Sequence, residues 1–399
     1  MRRTSARRLF AAALLVASVL APVAATSATA VDAVAADRHE KEDCPKGGLG
    51  PELNARLDKT IEDVRTQAGV PGVVVGLWIP GKGCYVRATG VADKTTGQPM
   101  FKDTYLRIGS ETKTFTVTAL LELVDEGKVG LDDPIDKYIR GVPNGDKITL
   151  RHLAEMRSGL FPYTSDPDFD HDFLSDPKRG FNPWEVLSYG YRHPNTFEPG
   201  AQFQYCNSNL ILLGLVVEKV SGQRLGDFFD QRVLRPARLR HTLFPEGAEF
   251  PEPHAHGYTD QTLSGAIEDA TDWNPSWGWS AGAMISNLHD LRRWAKVVAT
   301  GELLSPETQA ERLKTLPTGF PGTSYGLGIF DSNGWIGHNG SLPGYETVTV
   351  YLPEQKATMV LLLNTDTLVQ GQEPSTLFAR AITEIITPDH VYAGVIGPR

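Results

Sequence analysis

The chain has 399 residues, of which 41% are hydrophobic and 22% charged, and its formal net charge is -9 at pH 7. That length exceeds one ordinary domain and suffices for a sizeable core, while the acidic balance argues against non-specific binding to nucleic acid or anionic lipid. Ordinary composition, with no low-complexity tract or internal repeat, excludes disordered and solenoid classes.

In chain order, residues 1–30 read as a secretory signal peptide. Arg2, Arg3, Arg7 and Arg8 form its positive end, Leu9 to Ala21 its apolar segment, and Ala28-Thr29-Ala30 or Ala33-Val34-Ala35 a small-residue cleavage site, placing the cut near residues 30–36. Removal of four arginines and no acid takes the charge to about -13. No cysteine ends the apolar segment and no later stretch is long enough to span a bilayer, so a secreted product without a membrane anchor is expected. In that oxidising setting Cys44 and Cys84 are expected to bridge the amino-terminal tail to a hairpin, leaving Cys206 unpaired.

Pro51 to Gln67 carries Leu53, Leu57, Ile61 and Val64 on one face and predicts an amphipathic helix ended by Gly69. Val73 to Ile79 and Cys84 to Ala88, joined by Pro80-Gly81-Lys82-Gly83, predict an antiparallel hairpin. A second helix opens near Ser110 and runs through the apolar stretch Val117 to Val124. Residues three apart share a helix face, so Ser110 and Lys113 are brought within reach: a hydroxyl beside an amine that acts as a base once its pKa is depressed. The backbone N–H of Ser110 at the helix start is a candidate oxyanion donor. A serine cap beside a solvated lysine is the alternative that S-x-x-K alone leaves open.

From Leu131 to about Phe250 the pattern turns to helices at Leu150–Met156, Pro183–Gly190, Leu210–Val220 and Leu225–Val233. Strands return at 335–338, 347–352 and 357–364, before a last amphipathic helix at 375–386. This order predicts an α/β fold of the α+β type: an antiparallel sheet flanked by the amino- and carboxy-terminal helices, with a mostly helical second lobe inserted between strands. Residues 37–130 and 276–389 form the α/β lobe, 131–275 the helical lobe and 390–399 a tail, with a site expected in the cleft between lobes.

Two further stretches match the Ser110 region in kind, Tyr205-Cys206-Asn207 before a helix and His338-Asn339-Gly340-Ser341 on a strand. With Ser110-Glu111-Thr112-Lys113 they occur in the order of the three motifs of the penicillin-recognising serine hydrolase superfamily, and the chain resembles its branch of class C β-lactamases, D-alanyl-D-alanine carboxypeptidases and related esterases. The resemblance extends to Gly69-Val70-Pro71-Gly72, Leu131-Asp132-Asp133-Pro134, Ser158-Gly159-Leu160 and Tyr325-Gly326-Leu327-Gly328, covering essentially Pro51 to Ile386.

The resemblance implies a β-lactamase/transpeptidase-like fold and an acyl-enzyme on Ser110, with Lys113 and Tyr205 sharing its proton and Asn207 holding the substrate amide. It gives His338, Asn339, Gly340 and Ser341 to substrate binding, with the N–H groups of Ser110 and Ser341 as the oxyanion hole and with His338, charged part of the time, supporting Tyr205 or the substrate carboxylate. No metal or cofactor is implied. The expected activity is D-alanyl-D-alanine carboxypeptidase-like on cell-wall stem peptides. An esterase, a β-lactamase or a non-turnover penicillin sensor are the alternatives, because Phe330 and Asp331 stand where some carboxypeptidases place a carboxylate-binding base. The partner is thus a small peptide, ester or β-lactam, with oligomeric state left open.

Rival signals are weaker. Gly278-Trp279-Ser280-Ala281-Gly282 fits G-x-S-x-G but follows a loop where that motif requires a strand; the resemblance has the segment line the cleft. The acidic run Asp166 to Asp172, and His254 with His256, lack the ligand spacing of a metal site.

Overall fold

A computed structural model describes residues 48–394. The signal peptide, Cys44 and the last five residues of the tail lie outside the described residues. Within them Cys84 is disulfide-bonded and Cys206 is a buried free thiol.

An eight-stranded sheet organises the chain. Its strands are β1 (Gly72–Ile79), β2 (Gly83–Gly90), β3 (Leu316–Pro317), β4 (Thr323–Tyr325), β5 (Phe330–Ser332), β6 (Trp335–Leu342), β7 (Tyr345–Leu352) and β8 (Ala357–Leu363). Their order is β2-β1-β8-β7-β6-β5-β4-β3, every neighbouring pair antiparallel. Central strands β1, β7 and β8 are buried along their whole length, which explains why they read as continuous apolar runs. The edge strands β3 to β5 had no signal in the sequence, being two or three residues long.

Alternation along β7 separates the two faces. On one, Glu346 Oε2 accepts from Ser375 N at 2.8 Å, tying the sheet to the start of helix Pro374–Ile386, which packs with helix α1 (Pro51–Gln67). This is the expected cover of end helices. On the other, the Thr347 hydroxyl donates to Ile108 O at 3.3 Å, toward the segment that opens helix α2 (Thr112–Asp125). Helix α3 (Asn207–Ser221) packs on α2, and α4 (Leu288–Thr300), which the sequence reading did not anticipate, covers β7 and β8. The carboxy-terminal helix is α5.

Helix α2 is buried from Thr112 to Leu123 although it carries four threonines, a lysine and a glutamate there. Its polar groups are therefore met by protein. Trp294 Nε1 donates to Thr114 Oγ1 at 2.7 Å while its ring stacks on Phe115, and Arg312 donates to Thr118 Oγ1 at 2.8 Å and Thr114 O at 3.1 Å. Thr112 Oγ1 accepts from Met284 N at 3.1 Å.

The junction between the α2 entry and β6 is close. A Cβ on Gly340 would stand 2.0 Å from Ile108 O, and one on Gly109, whose φ is +50°, would stand 2.8 Å from Ser341 N. Only glycine at both positions lets the turn and the strand meet. Behind them Glu111 is fully buried beside Thr347 and Thr349. Burial pushes its carboxyl up to about 8, against a smaller lowering by the two hydroxyls.

Two expectations follow. Gly340→Ala should lower stability by roughly 1–3 kcal/mol in denaturant unfolding through overpacking. Glu111 holds its proton more tightly folded than unfolded, so the unfolded chain ionises first and stability falls as pH rises from about 4.5 to about 8. Glu111→Gln removes that penalty. Its stability advantage over wild type should be near zero below pH 4 and grow to roughly 2 kcal/mol or more by pH 8, as read from melts across pH.

Candidate active site

Ser110 sits in a 3-10 turn, Gly109–Glu111, one residue before α2 begins, rather than inside the α-helix. The turn passes directly into α2, so Lys113 still projects back to it: Lys113 Nζ lies 2.8 Å from Ser110 Oγ and donates to Ala281 O at 2.7 Å. Burial drives the lysine pKa well below its usual value, and no carboxylate pairs with it among the described residues. Desolvation thus favours the neutral amine, whose lone pair can take the serine proton.

Tyr205 stands in the extended segment just before α3, and the Lys113 ammonium position lies 4.8 Å from its ring centroid. Burial pushes the phenol far above its ordinary range, and a hydrogen bond with Ser110 only partly opposes this. Tyr205 is therefore a neutral donor at rest, and Lys113 is the group with a free lone pair. Cys206, beside it, is pushed up to about 11 by burial and lies 3.4 Å from Leu160 O, a packed thiol and not a nucleophile.

Ser110, Tyr205, Asn207, Asn339 and Ser341 line one cleft. Three distant stretches of the sequence thus meet at one cavity. Asn207 opens α3, and Asn339 and Ser341 share one face of β6. Of the three remaining residues of that reading, Lys113 stands behind Ser110, and Gly340 and His338 lie elsewhere. Gly340 lies against Ile108 O, where its lack of a side chain admits the turn.

His338, expected to support Tyr205 or the substrate carboxylate and to be charged part of the time, is buried behind the cleft wall, beside Tyr205 and outside the cleft lining. Its Nδ1 lies 2.6 Å from Asn339 O and must donate there, because a carbonyl only accepts. Nε2 is left to accept from the Tyr325 hydroxyl at 3.2 Å. Burial, with the neighbouring Lys113 second, pushes the imidazole down to about 3, so it stays neutral. Its ring is 6.2 Å from that of Tyr205, which makes it a packing support for the phenol.

Thr164, Gln261, Trp277, Leu342, Pro343 and Glu373 complete the cleft lining and were not singled out from sequence. Nothing in their local spacing carries a motif; they converge only through the fold. Among the described residues no lysine or arginine lines the cleft, and Glu373 supplies its acidic side chain.

Rival nucleophile Ser280 is buried in the short helix Trp279–Gly282 and donates to Leu210 O at 2.9 Å. Its segment serves the site from behind, through Ala281 O, while Trp277 reaches the cleft. Asp166 caps the helix Pro167–Ser175 and pairs with His193 at 2.6 Å. Among the described residues no group of three metal-ligating side chains forms.

A family profile described as Beta-lactamase matches residues 57–382. D-aminopeptidase of Brucella anthropi is 29% identical over 307 residues, covering 74% of this chain and 56% of its own length. Protein flp of Staphylococcus aureus strain N315 is 26% identical, covering 77% of this chain and 62% of its own. The chain thus spans little more than half the length of these curated relatives. Among solved structures, a D-stereospecific amidohydrolase from Streptomyces sp. superposes with a TM-score of 0.75 at 29% identity, covering 84% of this chain and 99% of that one. The D-amino acid amidase from Ochrobactrum anthropi SV3 in complex with D-phenylalanine gives 0.76 at 26%, covering 85% and 99%. The chain belongs to the beta-lactamase family, within the superfamily of penicillin-binding and β-lactamase serine hydrolases.

Proposed function

We propose that this hydrolase cleaves the amide bond of small D-amino-acid derivatives through an acyl-enzyme on Ser110. The observation that carries the chemistry is the 2.8 Å approach of a desolvated lysine amine to the serine hydroxyl. As Ser110 Oγ attacks the carbonyl carbon, its proton passes to Lys113 Nζ. The developing oxyanion is met by the backbone N–H groups of Ser110 and Ser341, which the two glycines hold in proximity.

Collapse of the tetrahedral intermediate breaks the C–N bond, and the leaving nitrogen takes a proton from the Tyr205 phenol, which is restored from Lys113. Water then attacks the ester, losing its proton along the same path, and releases the acid and free Ser110. Asn207 and Asn339 offer neutral amides to the substrate backbone.

Support for the substrate class comes from two directions. The structures of high coverage include an amidohydrolase and an amidase directed to D-amino acids. Carboxypeptidase action on a D-Ala-D-Ala terminus, the expectation from sequence, calls for a group that meets the terminal carboxylate, and the cleft lining offers neutral amides and one glutamate among the described residues.

Incubation with D-phenylalaninamide should release D-phenylalanine, and Ser110→Ala should abolish release while the melt is unchanged; undiminished turnover in that variant rejects the mechanism. Lys113→Ala should cost about 10²- to 10⁴-fold in kcat/KM. Lys113→Arg introduces a cation that cannot give up its proton, so it should be no more active than the alanine variant. Because burial lowers the amine pKa, wild-type activity should persist through neutral pH and fall only as acid protonates Lys113, a pH profile of kcat/KM being the check.

A further inference from the structure

The cleft holds an acidic side chain that the acyl-transfer steps leave unused. Glu373 is the residue just before α5, and its Oε2 accepts from Asn339 Nδ2 at 3.2 Å, which fixes the carboxylate beside β6. Asn339 and Ser341 are neighbours on one face of that strand, about 6.6 Å apart by strand geometry. Ser341 N–H marks where the substrate's carbonyl oxygen goes. In an α-aminoacyl group the amine is attached to the carbon next to that carbonyl, and a charge-assisted bond to a carboxylate adds about 2.8 Å. The span from oxyanion donor to Glu373 therefore suits one aminoacyl unit.

We infer that Glu373 receives the α-ammonium of the substrate and so restricts this site to acyl groups with a free amine, rejecting N-acylated and carboxylate-terminal ones. The inference rests on the reading of Ser110 as the acylated residue, and gives the cleft its polarity. Beneath the carboxylate, Glu346 is fully buried, and burial together with the neighbouring Glu373 raises its pKa well above the usual carboxylate range, so of the two acids Glu346 is the one that holds a proton and Glu373 the one that faces the cleft. The other walls near the nucleophile, Trp277, Leu342 and Pro343, are apolar and suit the amino-acid side chain. A carboxylate in the same place would meet Glu373 with like charge. A neutral N-acyl group would desolvate Glu373 without offering it a cation, which is the costlier case for a half-buried charge.

The test separates binding from chemistry by using Ser110→Ala, which cannot turn over. Calorimetric titration with D-phenylalaninamide and with N-acetyl-D-phenylalaninamide should show the amine bound at least tenfold more tightly. In Ser110→Ala/Glu373→Gln, whose amide keeps the shape without the charge, the preference should shrink to within threefold. Equal affinities in the single variant, an unchanged preference in the double variant, or no binding of either ligand at 10 mM would each overturn the inference. The single-variant ratio stands even where the double variant fails to fold. Turnover by wild type, measured separately, decides the acyl-enzyme reading, so the two failures are distinguishable.

Discussion

Everything at this site depends on keeping the Lys113 amine out of water. A lysine in solution is protonated at neutral pH and is no base; desolvation without a compensating carboxylate reverses that preference. The cost is met by the fold, because Lys113 belongs to a helix whose whole circumference is covered. The clamps on α2, from Trp294 and Arg312 to its threonines, are then part of the chemistry at one remove: they hold a helix that would otherwise expose polar groups, and so keep the amine dry.

The same economy sets the approach of turn and strand. Two close backbone approaches, Ile108 to Gly340 and Gly109 to Ser341, hold Ser110 and Ser341, the proposed oxyanion donors, next to each other. Backbone donors held this way need no reorganisation when charge develops, which is where such sites gain most. Glu111 and His338 fill the space behind this junction in neutral form, one because its carboxyl is pushed up and the other because its imidazole is pushed down. Opposite titration behaviour thus leaves both groups uncharged at neutral pH.

How much of this was legible in the sequence follows from the range of the forces involved. Helix α1, the β1–β2 hairpin, the helix after Tyr205 and the buried strands β6 to β8 were readable because each carries its own periodicity or apolar run. Ser110 with Lys113 was readable because i to i+3 spacing is a local geometry that survives a shift from α-helix to 3-10 turn. Helix α4 also carries apolar residues at helical spacing, with Asn287 as its N-cap and Gly301 at its end, so its signal was present in the sequence. The charge state of His338 was not readable: it depends on Tyr325, Phe330 and Lys113 closing over the ring, which only the folded chain arranges. Glu373 is a similar case, an acid before a proline that reads as nothing more than a helix start.

At neutral pH, then, the machinery around Ser110 carries little fixed charge of its own. Burial favours the neutral form of the lysine, the phenol, the histidine and the buried glutamic acid alike, so the field a substrate meets at the cleft is set by the acidic side chain that lines it. In many hydrolases a cation beside the nucleophile does double duty, stabilising the oxyanion and attracting an anionic substrate. On the proposed mechanism oxyanion stabilisation falls to backbone dipoles, which act over a few ångströms, and substrate attraction to a carboxylate of the opposite sign. Separating those two tasks lets the same acyl-transfer geometry serve a cationic substrate without placing a positive charge in its way.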